Sequence, residues 1–156
     1  KIAACAISGF LATFAGLSIF ILVFSLLNPF FTSAATSNAY SVFLNNGHPV
    51  LYLLLFITHI SLSSVIFSVL AFFISTYFRN SFTTVAMPVV LYLVALRLFD
   101  IISTSKNTPL SVYIESVYDA GGPLNSFLLK LTITAVIILV LGFLACRQIR
   151  KLVQND

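Results

Sequence analysis

Charge is the scarcest commodity in this 156-residue chain: eight Lys and Arg, four Asp and Glu, 8% of all residues. A soluble domain of this length carries about 25% charged residues, so a water-exposed globular surface is excluded. Trp is absent, and Cys occurs only twice, at Cys5 and Cys146. Two thiols without a framework exclude a disulfide-stapled scaffold, and both read as small residues packed between helices. No Gly-rich loop ending in Lys-Ser or Lys-Thr is present, which excludes nucleotide hydrolysis by that route. His48 and His59 have no second ligand at helical spacing, so a metal site is not expected. The net charge of +4 is not a nucleic-acid signal, because the basic residues collect at the edges of apolar segments.

Hydrophobic residues make up 60% of the chain, and the mean hydropathy is +1.09. They fall into four runs, residues 2–27, 50–78, 82–99 and 127–146. About 20 apolar residues cross about 30 Å of hydrocarbon as a helix. Strict alternation over about 10 residues, as a membrane barrel strand needs, does not occur. The expected fold class is therefore all-α, a polytopic bundle of four transmembrane helices in a single transmembrane domain. A 29-residue second run would measure about 44 Å as a helix, so it must tilt or project beyond the bilayer. Lys1 opens directly onto the first run, and the sequence reads as part of a longer chain.

An even number of spans puts both ends on one side. Lys1, Arg79, Arg147, Arg150 and Lys151 gather there, against Arg97, Lys106 and Lys130 on the other. The excess of basic residues predicts cytoplasmic termini in a cell membrane. Residues 28–49 and 100–126 then form outer loops. Asn46-Gly47-His48-Pro49 is turn chemistry. In the second loop Thr108-Pro109 begins a helix, and Leu110, Tyr113, Ile114, Val117 and Tyr118 line one face of it. Gly121-Gly122-Pro123 stops it. Ser111, Glu115 and Asp119 mark the polar face, where paired carboxylates read either as a solvated surface or as an acid–base or cation site. The prediction is a short amphipathic helix lying on the outer surface or dipping into the membrane.

Ala4, Ser8, Ala12 and Gly16 recur every fourth residue and form a candidate helix-packing face. Ser61, Ser64 and Ser68, with Ser75, line the second run. Their hydroxyls serve either interhelical bonding or the wall of a substrate path. Pro88 interrupts the hydrogen bonding of the third run and is a candidate hinge. His59 lies at depth and reads either as a neutral ring bonded to a nearby hydroxyl or as a coupling residue. Arg97 and Asp100, at i and i+3, can pair and are candidates for the same path. Lys130, like Arg97, reads either as a side chain snorkelling to the headgroups or as a charge with a transport role. A Ser8–His59 protease is a poor match, since Ala6-Ile7-Ser8-Gly9 lacks the Gly that leads a rhomboid-type serine.

The Ser-rich run ending Phe72-Phe73-Ile74-Ser75-Thr76-Tyr77-Phe78, the Arg79-Asn80 turn, Pro88 in the next run, the Gly-Gly-Pro before the last run and the basic tail together resemble a type-2 ATP-binding-cassette (ABC) transporter permease over its last four spans. The resemblance implies an export permease subunit that is not itself an enzyme and has no cofactor of its own. ATP and Mg would sit on a partner ATPase, and a second permease copy or relative would complete the pathway. It also implies two earlier spans and a main docking helix upstream, with Arg79 and Asn80 as a minor cytoplasmic contact. No nucleic acid is expected as a partner. The competing readings are a proton-coupled secondary carrier working through His59, Arg97 and Asp100, and a non-transporting assembly or immunity subunit.

Overall fold

The computed structural model describes residues 1–27, 38–78, 80–102, 109–114 and 117–154. They form six helices: α1 (Ile2–Leu27), α2 (Ser41–Asn45), α3 (Pro49–Ser75), α4 (Ser81–Ile102), α5 (Pro109–Ile114) and α6 (Pro123–Gln154). No strand occurs among the described residues. Four of the helices, α1, α3, α4 and α6, are long and apolar enough to cross a membrane. The chain is an all-α, multi-pass membrane protein.

Helix α3 is the hub, packing against α1, α2, α4 and α6. Cys5 meets Ser68 and Gly9 meets Ser64, so numbers rise along α1 as they fall along α3, and the two helices are antiparallel. Ile66 and Leu70 share a groove with Val136, Ile137, Val140 and Leu141, so α3 and α6 run parallel. Buried residues concentrate on α3: Ile57, His59, Ser61, Val65, Ile66, Val69 and Ile74. The outward faces of α4 and α6 are apolar and open, with Phe82, Ile101, Leu139 and Phe143 each about 70% exposed or more. A lipid-facing surface has no reason to be polar.

The helix ends follow local rules. At the end of α2 the Gly47 N–H donates to the Leu44 carbonyl and the His48 N–H to the Phe43 carbonyl. This Schellman pair needs a left-handed residue, and Gly47 supplies it with φ 76°. Pro49 then opens α3 at its first turn, where a missing N–H costs nothing. Asn80 caps α4 by accepting the Phe82 N–H at 2.9 Å. Before α6 the Asp119 carboxylate accepts the N–H groups of Gly121 and Gly122 at 3.0 and 3.1 Å. Both glycines have positive φ, 85° and 140°.

Helix α6 has 32 residues, about 48 Å at 1.5 Å per residue, so it contains the expected span 127–146, and Arg147, Arg150 and Lys151 ride on its continuation. Two expectations are corrected, the extent of the helix in the second connection and the packing of Cys146. Helix α5 ends at Ile114 and does not reach Tyr118, because 117–122 form the bends that Asp119 organises. Helix α2, inside the first connection, was not expected. Cys146 is exposed rather than packed between helices. Arg79, Lys106, Thr108 and Glu115 lie outside the described residues.

Candidate functional site

The enclosed chemistry lies where α2 and α5 enter the bundle. Tyr40, at the start of α2, has no exposed surface. Its hydroxyl is 2.8 Å from His59 Nδ1, and the rings meet edge to face at 5.7 Å. His59 is itself fully enclosed. Its Nε2 is the buried side-chain atom without a hydrogen-bond partner among the described residues. Burial raises Tyr40 to a pKa of about 12, so its oxygen carries a proton at any physiological pH. Nearby, Asn38 Nδ2 donates to the Tyr52 hydroxyl at 3.0 Å, and Asn38 Oδ1 accepts the Tyr40 N–H. The first connection is thus stitched to α3 by side chains.

Lys130, about two turns into α6, has no exposed surface either. Its Nζ donates to the Val112 carbonyl at 2.6 Å. The snorkelling expected of Lys130 is therefore wrong: the side chain points inward, because α5 offers it a carbonyl. Tyr92, near the middle of α4, donates its hydroxyl to the Ile114 carbonyl at 3.4 Å. The last carbonyls of a helix have no partner within it; here Lys130 and Tyr92 supply partners from two different helices. A cation also suits the negative end of the helix dipole. Tyr113 packs with Phe67 and Tyr92, at ring distances of 6.2 and 6.4 Å. Phe67 and Tyr92 are 5.3 Å apart. Helix α5 therefore sits at the level of the middle of α4.

His59 and Lys130 stand seven residues before Ile66 and Ile137, which line one groove, so they share a face and a level of α3 and α6. Thr134 Oγ1 returns to the Lys130 carbonyl at 2.8 Å. The structure thus gathers Tyr40, His59, Lys130 and the end of α5. No family model matches the chain, and no curated protein or solved structure matches it. The reading rests on this geometry.

The remaining sequence candidates fall elsewhere. Arg97 and Asp100 are exposed on α4 and form no ion pair with each other, so they do not join His59. Ser61 is buried and donates to the Ile57 carbonyl. Ser64 donates to the Gly9 carbonyl across the α1–α3 contact at 3.0 Å and to the Ser61 carbonyl. Ser68 donates to the Ser64 carbonyl. All three hydroxyls are engaged in helix bonding. Ser8 is exposed and donates to Cys5, not to His59. The Ala4, Ser8, Ala12 and Gly16 stripe is exposed, and nothing lies within 4 Å of a Cβ built on Gly16. Within the chain, α1 packs instead through Cys5 and Gly9, one residue away, where the Cys5 thiol donates to the Ser68 carbonyl and the Gly9 carbonyl accepts from Ser64. Asn80 is exposed and serves as a cap. Pro88 is buried inside α4, which runs through it as one helix. Among the described residues no cluster of metal-binding side chains occurs.

One residue of this cluster, Tyr40, escaped the sequence reading. It sits in a loop-like stretch with no periodicity, and no local signal marks it. Lys130 was visible as a lone cation inside an apolar run, which is by default a functional position.

Proposed function

We propose that the chain is the membrane-spanning part of an ABC export permease in the cytoplasmic membrane. It would have both ends of this segment in the cytoplasm, a second permease beside it and a separate ATPase below. The observation that carries the reading is α5: a short helix that re-enters the bundle immediately before the last span, held by Lys130 and Tyr92. Four spans with that element in that place fit the last four spans of such a permease. The exposed small-residue stripe on α1 gives a second permease a surface for close backbone approach. The decisive experiment is purification of the full-length protein in mild detergent with the ATPase encoded beside it, followed by transport in vesicles. Co-elution and ATP-dependent efflux are expected; a full-length protein that binds no ATPase sinks the proposal.

One observation favours the proton-coupled carrier as a second reading: an enclosed His59 with an unpartnered Nε2 beside Lys130. Its charged partner would then be Lys130 rather than Arg97 or Asp100. Uptake into proteoliposomes driven by a pH gradient without ATP supports this reading, and dependence on ATP removes it.

A further inference from the structure

The bundle encloses a cation and provides it no anion among the described residues. The polar side chains buried with Lys130 are His59, Ser61, Ser126 and Thr134, none of them acidic. Asp100 and Asp119 are both exposed. Lys130 Nζ has three N–H bonds, and one is used on the Val112 carbonyl. His59 completes the argument. The Tyr40 hydroxyl stays protonated, and its one recorded side-chain partner is His59 Nδ1. Donation from Tyr40 to Nδ1 places the ring proton on Nε2, which is enclosed and without an acceptor. The opposite tautomer would strand both the phenol proton and the Nε2 lone pair. The ring N–H therefore lacks an acceptor, and the ammonium has two N–H bonds left after Val112. Seven residues before Ile66 and Ile137, which line one groove, His59 and Lys130 share a face and a level of α3 and α6. Buried donors are ordinarily satisfied, and a buried charge is ordinarily paired.

We propose that Lys130 and His59 form an anion-binding site inside the bundle, one that takes a halide or the oxygens of a single carboxylate or phosphate group. An acceptor carrying negative charge answers both residues at once, whereas water answers only the hydrogen bonding. Tyr40 and the end of α5 supply the other sides of the site, so occupancy stiffens the two connections that cover it. The inference is independent of the exporter reading.

The test uses the full chain in detergent micelles at pH 7. Sodium gluconate is replaced at constant ionic strength by bromide, chloride, acetate or inorganic phosphate, in separate titrations followed by thermal unfolding. Binding to the folded state alone raises Tm saturably. The halide, acetate and phosphate arms tell a free ion from a carboxylate or phosphate group. Lys130→Gln keeps a donor for the Val112 carbonyl without the charge. His59→Asn keeps an acceptor for Tyr40 without Nε2. Each is expected to move half-saturation upward by about tenfold or more, the effect of losing one charge-assisted contact. Asp100→Asn, exposed on α4, is expected to leave it unchanged. A wild-type protein with no saturable shift, variants at Lys130 and His59 that titrate like wild type, or a shifted half-saturation in Asp100→Asn would each overturn the proposal. Should either site variant fail to fold, bromide anomalous scattering from wild-type crystals decides: a peak within hydrogen-bond reach of Nζ and Nε2 is expected, and its absence overturns the site.

Discussion

The two halves of the bundle are held by different means. Where α1 crosses the far half of α3, contact comes from small side chains at close backbone approach: the Gly9 carbonyl accepts from Ser64 Oγ, and the Cys5 thiol donates to the Ser68 carbonyl at 3.2 Å. Where α2 and α5 enter, contact comes from long polar side chains: Tyr40 to His59, Asn38 to Tyr52, Lys130 to Val112, Tyr92 to Ile114. The difference reflects what each half must hold. Two long helices already satisfy their own backbones and need only approach closely. Short segments such as α2 and α5 leave most of their backbone groups unpaired at their ends, so a low-dielectric interior admits them only with partners supplied from outside.

The largest test of this contrast is Gly9→Leu. A Cβ at Gly9 would stand 2.8 Å from Ser68 Cβ and closer still to its Oγ, so a branched side chain is expected to cost about 1–3 kcal/mol through overpacking. Gly16→Leu, on the open stripe, is expected to leave the stability of the single chain unchanged. Denaturant or thermal unfolding in micelles compares the two, and equal effects would break the comparison.

Next in size is His59→Leu, which strands the buried Tyr40 hydroxyl and is expected to cost about 1–2 kcal/mol. His59→Asn should recover most of that loss. Lys130→Met follows, at about 1 kcal/mol, because the Val112 carbonyl loses its partner while the cost of enclosing a charge is relieved. Its signature is local. A cysteine placed at Val112, which has no exposed surface, should become open to thiol reagents in the Lys130→Met background and stay protected in the parent.

Replacing Arg147, Arg150 and Lys151 together by Gln should change stability by under about 0.5 kcal/mol, since exposed charges contribute little. The smallest effect at neutral pH belongs to Tyr40. Its pKa rises from 10.0 unfolded to about 12 folded. The neutral phenol therefore contributes stability that is complete below pH 10 and lost as pH climbs toward 12. Ultraviolet titration should show one tyrosine ionising last, and Tyr40→Phe should remove that step.

Much of this was legible in the residues. Run length and the lack of charge mark all four crossing helices, because a hydrocarbon span leaves no cheaper way to satisfy a backbone. Gly47 with Pro49, and Asn80 before Ser81, locate helix ends because those side chains act on atoms only a few residues away. His59 stands out as an ionisable group at depth. Yet the hydroxyl it meets is not Thr58 or Ser61 beside it, which bond their own helix, but Tyr40 from another element.

The chain alone determined what crosses the membrane and where each crossing begins, because hydropathy and capping are properties of neighbouring residues. Only the folded bundle decided that Gly9 rather than Gly16 meets α3, that α5 sinks to the middle of α4, and that Lys130 turns inward to a carbonyl. Those outcomes depend on which faces of distant helices come together, and lipid-facing and helix-facing surfaces are equally apolar. A pattern of hydrophobic residues therefore has no means of telling one face from the other.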